Sequence, residues 1–329
     1  KFYLIKKKKK SKKKIKIFVA GHKGMLGAAI LKKLKKKKNL RVFIQDKKDL
    51  NLLNQAQVNS YFKKNKFDIV YLCAARVGGI WANKIYPANF IYENLTIQTN
   101  VINASYLSRV NRLLFIGSTC IYPKFCKQPL REEYLLSSKL EESNEPYAIA
   151  KIAGIKTCES YNRQFQTDFR SVMAPNMYGI GDSFDPDKSH VISGLIGKFY
   201  NAKINKLKNL KVWGTGKPVR EFLYVDDAAE ICIKLINTPK NKFNKLVKPN
   251  LSHINIGNGE GISIKKLAEL IKFIVGFKGD ISFDPSYPDG HPKKVANITK
   301  QLNLGIRSKT SLKNGIKKTY RFYLKQKYR

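Results

Sequence analysis

Gly21-His22-Lys23-Gly24-Met25-Leu26-Gly27, Ser118-Thr119-Cys120 and Tyr147-Ala148-Ile149-Ala150-Lys151 follow one another along the chain, and their residue types suit hydride transfer. The G-x-x-G-x-x-G spacing lets backbone approach a pyrophosphate closely and presents the first amides of a following helix to it. Tyr147 and Lys151, at i and i+4, place a phenol and an ammonium on one face of a helix. A phenol with its ordinary pKa of about 10 is a poor acid–base group at neutral pH. A neighbouring ammonium and an oxidised nicotinamide would favour phenolate and lower that value. The Ser118 hydroxyl can then hold a carbonyl oxygen while Tyr147 protonates it. Together the three stretches read as a nucleotide-dependent oxidoreductase.

Residues 15–20 form a short apolar strand, the glycines follow at once, and a Lys-rich helix over 25–38 comes next. The rhythm repeats as strand 40–45, helix 55–64, strand 68–74, helix 90–110, strand 113–116, helix 147–165 and strand 169–173. Helices alternating with short β-branched runs require a parallel sheet covered on both faces. The predicted fold is therefore doubly wound α/β, Rossmann-like, with Ser118 at the C-terminal end of its strand, where such sheets bind ligands. Beyond Pro175 the rhythm breaks into Gly-, Pro- and Asp-rich loops, with helices near 191–202, 225–236 and 264–275. The division that follows is a dinucleotide-binding domain over 15–174 with returning elements around 219–258, and a smaller α/β substrate-binding domain over 175–218 and 259–329.

The chain has 329 residues, enough for a large core, but carries 64 Lys plus Arg against 23 Asp plus Glu, a net charge of +41. Such a field attracts polyanions. The charge is nearly all Lys spread along the whole chain, and no zinc-finger, basic-zipper or RNA-binding signature accompanies it, so a nucleic-acid reader is disfavoured and an anionic substrate or phosphate-rich cofactor is favoured. Residues 1–14 hold nine Lys and little to bury, and read as a disordered basic tail. No run reaches the eighteen or so apolar residues of a membrane span, so no membrane partner is expected. Five Cys without C-x-x-C spacing indicate neither a disulfide framework nor a metal site and suit a reducing cytosol.

The choice of dinucleotide turns on the end of the second strand, where an acid favours NAD and cations accommodate the extra phosphate of NADP. Asp46 is such an acid, but Lys47 and Lys48 follow it and Lys23 sits inside the glycine turn. NADP is the preferred reading.

Further blocks narrow the comparison: Ala74-Ala75-Arg76-Val77-Gly78-Gly79-Ile80, Gly117-Ser118-Thr119-Cys120-Ile121-Tyr122-Pro123, Asn144-Glu145-Pro146-Tyr147, Asn176-Met177-Tyr178-Gly179, Ser189-His190-Val191-Ile192, Val212-Trp213-Gly214-Thr215-Gly216 and Arg220-Glu221-Phe222-Leu223-Tyr224-Val225-Asp226-Asp227. From residue 15 to the C terminus the chain resembles the extended short-chain dehydrogenase/reductase family, and within it the enzymes that epimerise and reduce a GDP-keto-sugar. The resemblance implies GDP-4-dehydro-6-deoxy-D-mannose as substrate, inverted at C3 and C5 and then reduced at C4 by NADPH. It implies Ser118, Tyr147 and Lys151 for reduction, Cys120 as the epimerising base and His190 as the acid. It implies NADP(H) held by Gly21, His22, Lys23, Gly24, Met25, Leu26 and Gly27, by Lys47, by Ile116, Gly117, Ser118 and Thr119, by Lys151, and by Ala174, Pro175, Asn176, Met177 and His190. For the GDP-sugar it points to Lys198, Trp213, Arg220 and Asp289, with Lys294 a weaker addition. Related dehydratases carry an Asp-Glu pair where this chain has Thr119-Cys120, which disfavours dehydration. The chain departs from the pattern at Lys198, usually Arg, and at Ala174 and Ile180. A homodimer through helices 90–110 and 147–165 is a further implication.

Overall fold

A computed structural model of the chain describes residues 14–184, 189–287 and 289–328; thirteen of the fourteen residues assigned above to a basic tail lie outside them. The first half runs β1 (Ile15–Ala20), α1 (Met25–Leu34), β2 (Leu40–Phe43), α2 (Gln55–Asn65), β3 (Ile69–Leu72), α3 (Ile80–Ile85), α4 (Pro87–Leu107), β4 (Arg112–Ser118), α5 (Glu145–Phe165) and β5 (Phe169–Ala174). The second half runs β6 (Asn176–Tyr178), α6 (Val191–Ile204), β7 (Asn209–Trp213), β8 (Val219–Tyr224), α7 (Val225–Asn237), α8 (Lys240–Asn244), β9 (His253–Asn255), β10 (Gly261–Ser263), α9 (Ile264–Val275), β11 (Asp280–Asp284), β12 (Lys293–Lys294), α10 (Thr299–Asn303) and α11 (Leu312–Lys327).

Six strands form one sheet in the order β2-β1-β3-β4-β5-β9, every neighbouring pair parallel. Its strands alternate side chains between two cores, as period-two geometry requires. Ile17 and Val19 of β1 face α1 and α7 with Leu26, Ile30, Ala228 and Cys232, whereas Phe18 and Ala20 face α2, α4 and α5 with Phe62, Val101 and Ile155. With helices on both faces, β3 and β5 are buried along their whole length. The sheet is the doubly wound α/β arrangement expected from the sequence. After β2 the chain crosses to the other side of β1, so the switch point lies between the C-terminal ends of β1 and β3, where such sheets open a crevice.

A third core gathers Tyr178, Ile192, Ile196 and Phe199 against Phe222, Leu267, Ile271, Ile316 and Tyr323. Around it β8 takes β6 and β12 as parallel neighbours and β10 as an antiparallel one, while β7 and β11 pair separately. Several elements differ from the sequence reading. Helix α1 ends at Leu34, because residues 35–38 are four lysines with no position to bury. The segment before α4 folds as a separate short helix, α3, with Pro87 opening α4, where a missing N–H costs nothing. The C-terminal α11 was not foreseen; Ser311 caps it, and Gly315 lets it close on the Tyr178 hydroxyl, which a Cβ there would meet.

Candidate active site

The glycine turn sits at the switch point and is built by close backbone approach. Gly21 adopts φ +83°, and a Cβ on it would stand 2.6 Å from the backbone nitrogen of Ala74 after β3. A Cβ on Gly27 would stand 2.1 Å from the Gly21 carbonyl oxygen. Gly24 caps α1 in extended conformation with no side chain over the first amides and no acid in the first turn, which suits that helix end to an anion. A cavity of about 560 Å³ opens here, lined by Gly21, His22, Lys23, Gly24, Met25, Leu26 and Gly27 and continuing past Lys47, Ile116, Gly117 and Ser118 to Lys151, Ala174, Pro175, Asn176, Met177 and His190. Its lining runs from the N-terminus of α1 to the end of β4, which suits a dinucleotide with its pyrophosphate on that helix end. Thr119 is the exception among the cofactor residues inferred from sequence: it is buried in the 3₁₀ turn Thr119–Ile121 and does not line the cavity.

At the β2 end, Asp46 pairs with Lys23 at 2.7 Å and with His22 at 3.2 Å. The Lys23 hydrogen bond, with the charges of Lys23, His22 and Lys48, holds the Asp46 carboxyl below its usual range. The acid that could have specified NAD is thus paired with Lys23, and both it and Lys47 line the cavity.

Deeper in, Gly154 lets α5 press onto β4, where a Cβ would meet the Phe115 ring at 2.3 Å. One turn earlier, Lys151 is buried, donates to the Ile116 carbonyl at 3.0 Å, and lies 4.9 Å from the Phe115 ring and 5.6 Å from the Tyr147 ring. Burial brings its ammonium down to about 8. The expectation that this ammonium lowers the Tyr147 phenol is not what the protein alone shows: burial, and then the neighbouring Cys120, push that phenol well above its ordinary value. A low-dielectric wall disfavours phenolate, and Lys151 directs its hydrogen bond to backbone.

Ser118, Cys120, Tyr147, Lys151 and His190 line the same cavity. Ser118 Oγ accepts from the Cys120 amide and donates to Cys120 Sγ, both at 3.3 Å. Lys294 Nζ donates to the same sulfur at 3.2 Å. Burial opposes ionisation of Cys120, but Lys294, Ser118 and the charge of Arg220 outweigh it and bring the thiol below its ordinary value. By contrast, burial pushes the thiols of Cys73 and Cys158 up to about 12. His190 caps α6, and its Nδ1 hydrogen-bonds Asp182 at 3.0 Å, which raises the imidazole above its usual range despite desolvation. Asp182, buried and also accepting from Ser193, was not singled out in the sequence.

The four residues assigned to a GDP-sugar meet in one cluster outside the cavity lining. Lys198 Nζ lies 3.7 Å from the Trp213 ring, and Trp213 stacks on Tyr287 at 4.5 Å between centroids. Arg220 donates to the Asp289 carbonyl at 3.0 Å. The Asp289 carboxylate accepts from the Thr215 amide at 2.8 Å and hydroxyl at 2.6 Å, so it holds the turn after Trp213. The segment after β3, from Cys73 to Gly78, lines the cavity too, although its residues were not assigned to the site; its position at a strand's C-terminal end was the available signal.

The model of the NAD dependent epimerase/dehydratase family matches residues 17–257. The chain belongs to that family. Among members of the family, it is 46% identical to a GDP-L-fucose synthase of Escherichia coli (strain K12), over 96% of this chain and 98% of that one. It is 47% identical to GDP-L-fucose synthase 1 of Arabidopsis thaliana, over 96% of this chain and 95% of that one. Among solved structures, a GDP-mannoheptose C4 reductase from Campylobacter jejuni with NADP bound superposes with a TM-score of 0.85 at 38% identity, covering 94% of this chain and 98% of that one.

Proposed function

We infer that the protein makes GDP-L-fucose, inverting C3 and C5 of GDP-4-dehydro-6-deoxy-D-mannose and then reducing C4 with NADPH. The observation that carries the reading is a sulfur and an imidazole lining the cavity that also holds the Ser118, Tyr147 and Lys151 set. Full-length similarity to GDP-L-fucose synthases supports it.

The ketone at C4 acidifies both adjacent C–H bonds. Cys120 takes one proton, the C–H electron pair moves into an enolate on the ketone oxygen, and His190, whose protonated form Asp182 favours, returns a proton to the opposite face. Proton exchange with solvent resets the pair before the second centre. Ser118 then holds the C4 oxygen and Tyr147 protonates it, with Lys151 fixing the phenol's wall through the Ile116 carbonyl. NADPH would lie against the glycine turn and supply the hydride. Arg220 and Lys198 supply charge for the diphosphate, and Trp213 a ring for packing.

Incubation of the purified protein with the keto-sugar and NADPH tests this. One NADPH consumed per GDP-L-fucose formed is the expected result; turnover without net oxidation would point instead to a 4-epimerase, and activity confined to another keto-sugar to a different reductase of the family. The division into a dinucleotide-binding unit and a substrate-binding unit is proposed with this function, the separate core around Tyr178 supporting it. We also place the protein in the cytoplasm as a homodimer without nucleic-acid partners. The five free thiols and the exposed Tyr92, Leu107 and Ile149 on α4 and α5 support compartment and dimer respectively. Sedimentation of the purified chain should give twice its mass.

A further inference from the structure

Two strands from distant parts of the chain converge on the sulfur of Cys120. Lys294 belongs to β12, which pairs with β8 so that Lys294 lies beside Arg220. The segment around it is tied down: Val295 N–H donates to Gln128 at 3.1 Å, Ala296 N–H to the buried Glu221 carboxylate at 2.7 Å, and the Leu130 amide to the Val295 carbonyl at 2.7 Å. An ammonium presented by a braced strand, 3.2 Å from a sulfur that also receives a hydroxyl hydrogen bond, is the geometry that favours thiolate.

We propose that Lys294 is the counter-ion that keeps Cys120 ionised in the free enzyme, so that the epimerising base is ready before the keto-sugar arrives. The inference rests on the function proposed above and adds to it a positioning residue, acting through the sulfur. In the resting protein the Cys120 proton passes to solvent and Lys294 keeps all of its own. When the thiolate takes the substrate proton it becomes a neutral thiol, and the negative charge moves to the ketone oxygen near Ser118. The groups facing Cys120 are Lys294 from β12, Arg220 from β8 and Tyr147 from α5, with His291 and Glu141 beyond them. Of these, Lys294 alone is hydrogen-bonded to the sulfur as a cation.

The test is the pH dependence of iodoacetamide alkylation at Cys120, read by peptide mass spectrometry on the full chain without substrate, with Cys120→Ser as the blank. The wild-type midpoint should lie below the roughly 8.5 of a free cysteine. Lys294→Met should shift it upward and slow alkylation at neutral pH by about tenfold or more, since each unit of pKa costs about tenfold in thiolate. Lys294→Arg should keep most of the effect. Circular dichroism monitors folding, and Lys294→Gln replaces the Met variant if that one fails to fold. A wild-type midpoint at the ordinary value, or one that charge removal leaves in place, overturns the proposal. Turnover of the keto-sugar with NADPH is followed separately. A normal turnover with an unshifted thiol sinks the counter-ion alone, whereas a low thiol midpoint without turnover sinks the functional reading and leaves the Lys294–Cys120 couple standing.

Discussion

The cofactor crevice and the substrate cluster are built by different means. Around Gly21 and Gly27 the wall is backbone: a Cβ at either position would overlap peptide atoms, so the shape exists before any ligand binds. Around Trp213 the wall is side chains satisfying one another: Lys198 on the indole, Tyr287 stacked beside it, Arg220 on the Asp289 carbonyl, Asp289 on Thr215. A backbone site tolerates almost no substitution, because peptide groups cannot move without opening the turn. A side-chain cluster exchanges partners, so single changes there are graded. Both regions meet at Cys120, which takes Ser118 from one and Lys294 and the Arg220 charge from the other.

The largest effect should come from Gly27→Ala. The new methyl has no room at the Gly21 carbonyl, and NADPH affinity, measured by fluorescence titration, should fall by about a hundredfold, the upper range for a hydrogen bond to a charged group lost as the turn opens. Near-normal binding would erase the contrast between the two regions. Arg220→Ala should raise KM for the keto-sugar by about ten- to a hundredfold, the range for a lost hydrogen bond from a charged group, while leaving NADPH affinity intact. Initial rates over both concentrations check it.

Asp182→Asn should act on pH rather than on binding. Asp182 raises the His190 pKa, so its loss moves the alkaline limb of the pH–rate profile to lower pH, where the acid is lost sooner. The same pair contributes to folding fully below the imidazole's unfolded pKa, and that contribution disappears as pH rises through the higher folded value. The thermal midpoint of the wild type should therefore lose its advantage over Asp182→Asn on going alkaline. The smallest effect is expected at Lys198→Arg, which restores a planar fork and should lower KM by a few-fold.

Much of this site was legible because it is local. The strand before Gly21, the helix after Gly24 and the one-turn spacing of Tyr147 and Lys151 are all properties of a dozen neighbouring residues. What was missed at the site is long-range. Asp182 stands eight residues before His190 without any periodic relation to it, and Lys294, named only as a weaker GDP-sugar residue, meets Cys120 from 174 residues away. In α11 the signal was there to be read: Leu312, Ile316, Tyr320 and Tyr323 recur at helical spacing and enter the third core on one face.

The amino-acid sequence alone therefore determined the doubly wound sheet and the chemistry at its mouth, because hydrophobic periodicity and glycine sterics act between near neighbours. Only the folded chain decided the charge states of that chemistry. Burial moved the Tyr147 phenol up and the Lys151 ammonium down, and cations from remote strands moved the Cys120 thiol the other way. Ionisation depends on dielectric and on charges within a few ångströms, and which groups come that close is a property of tertiary packing.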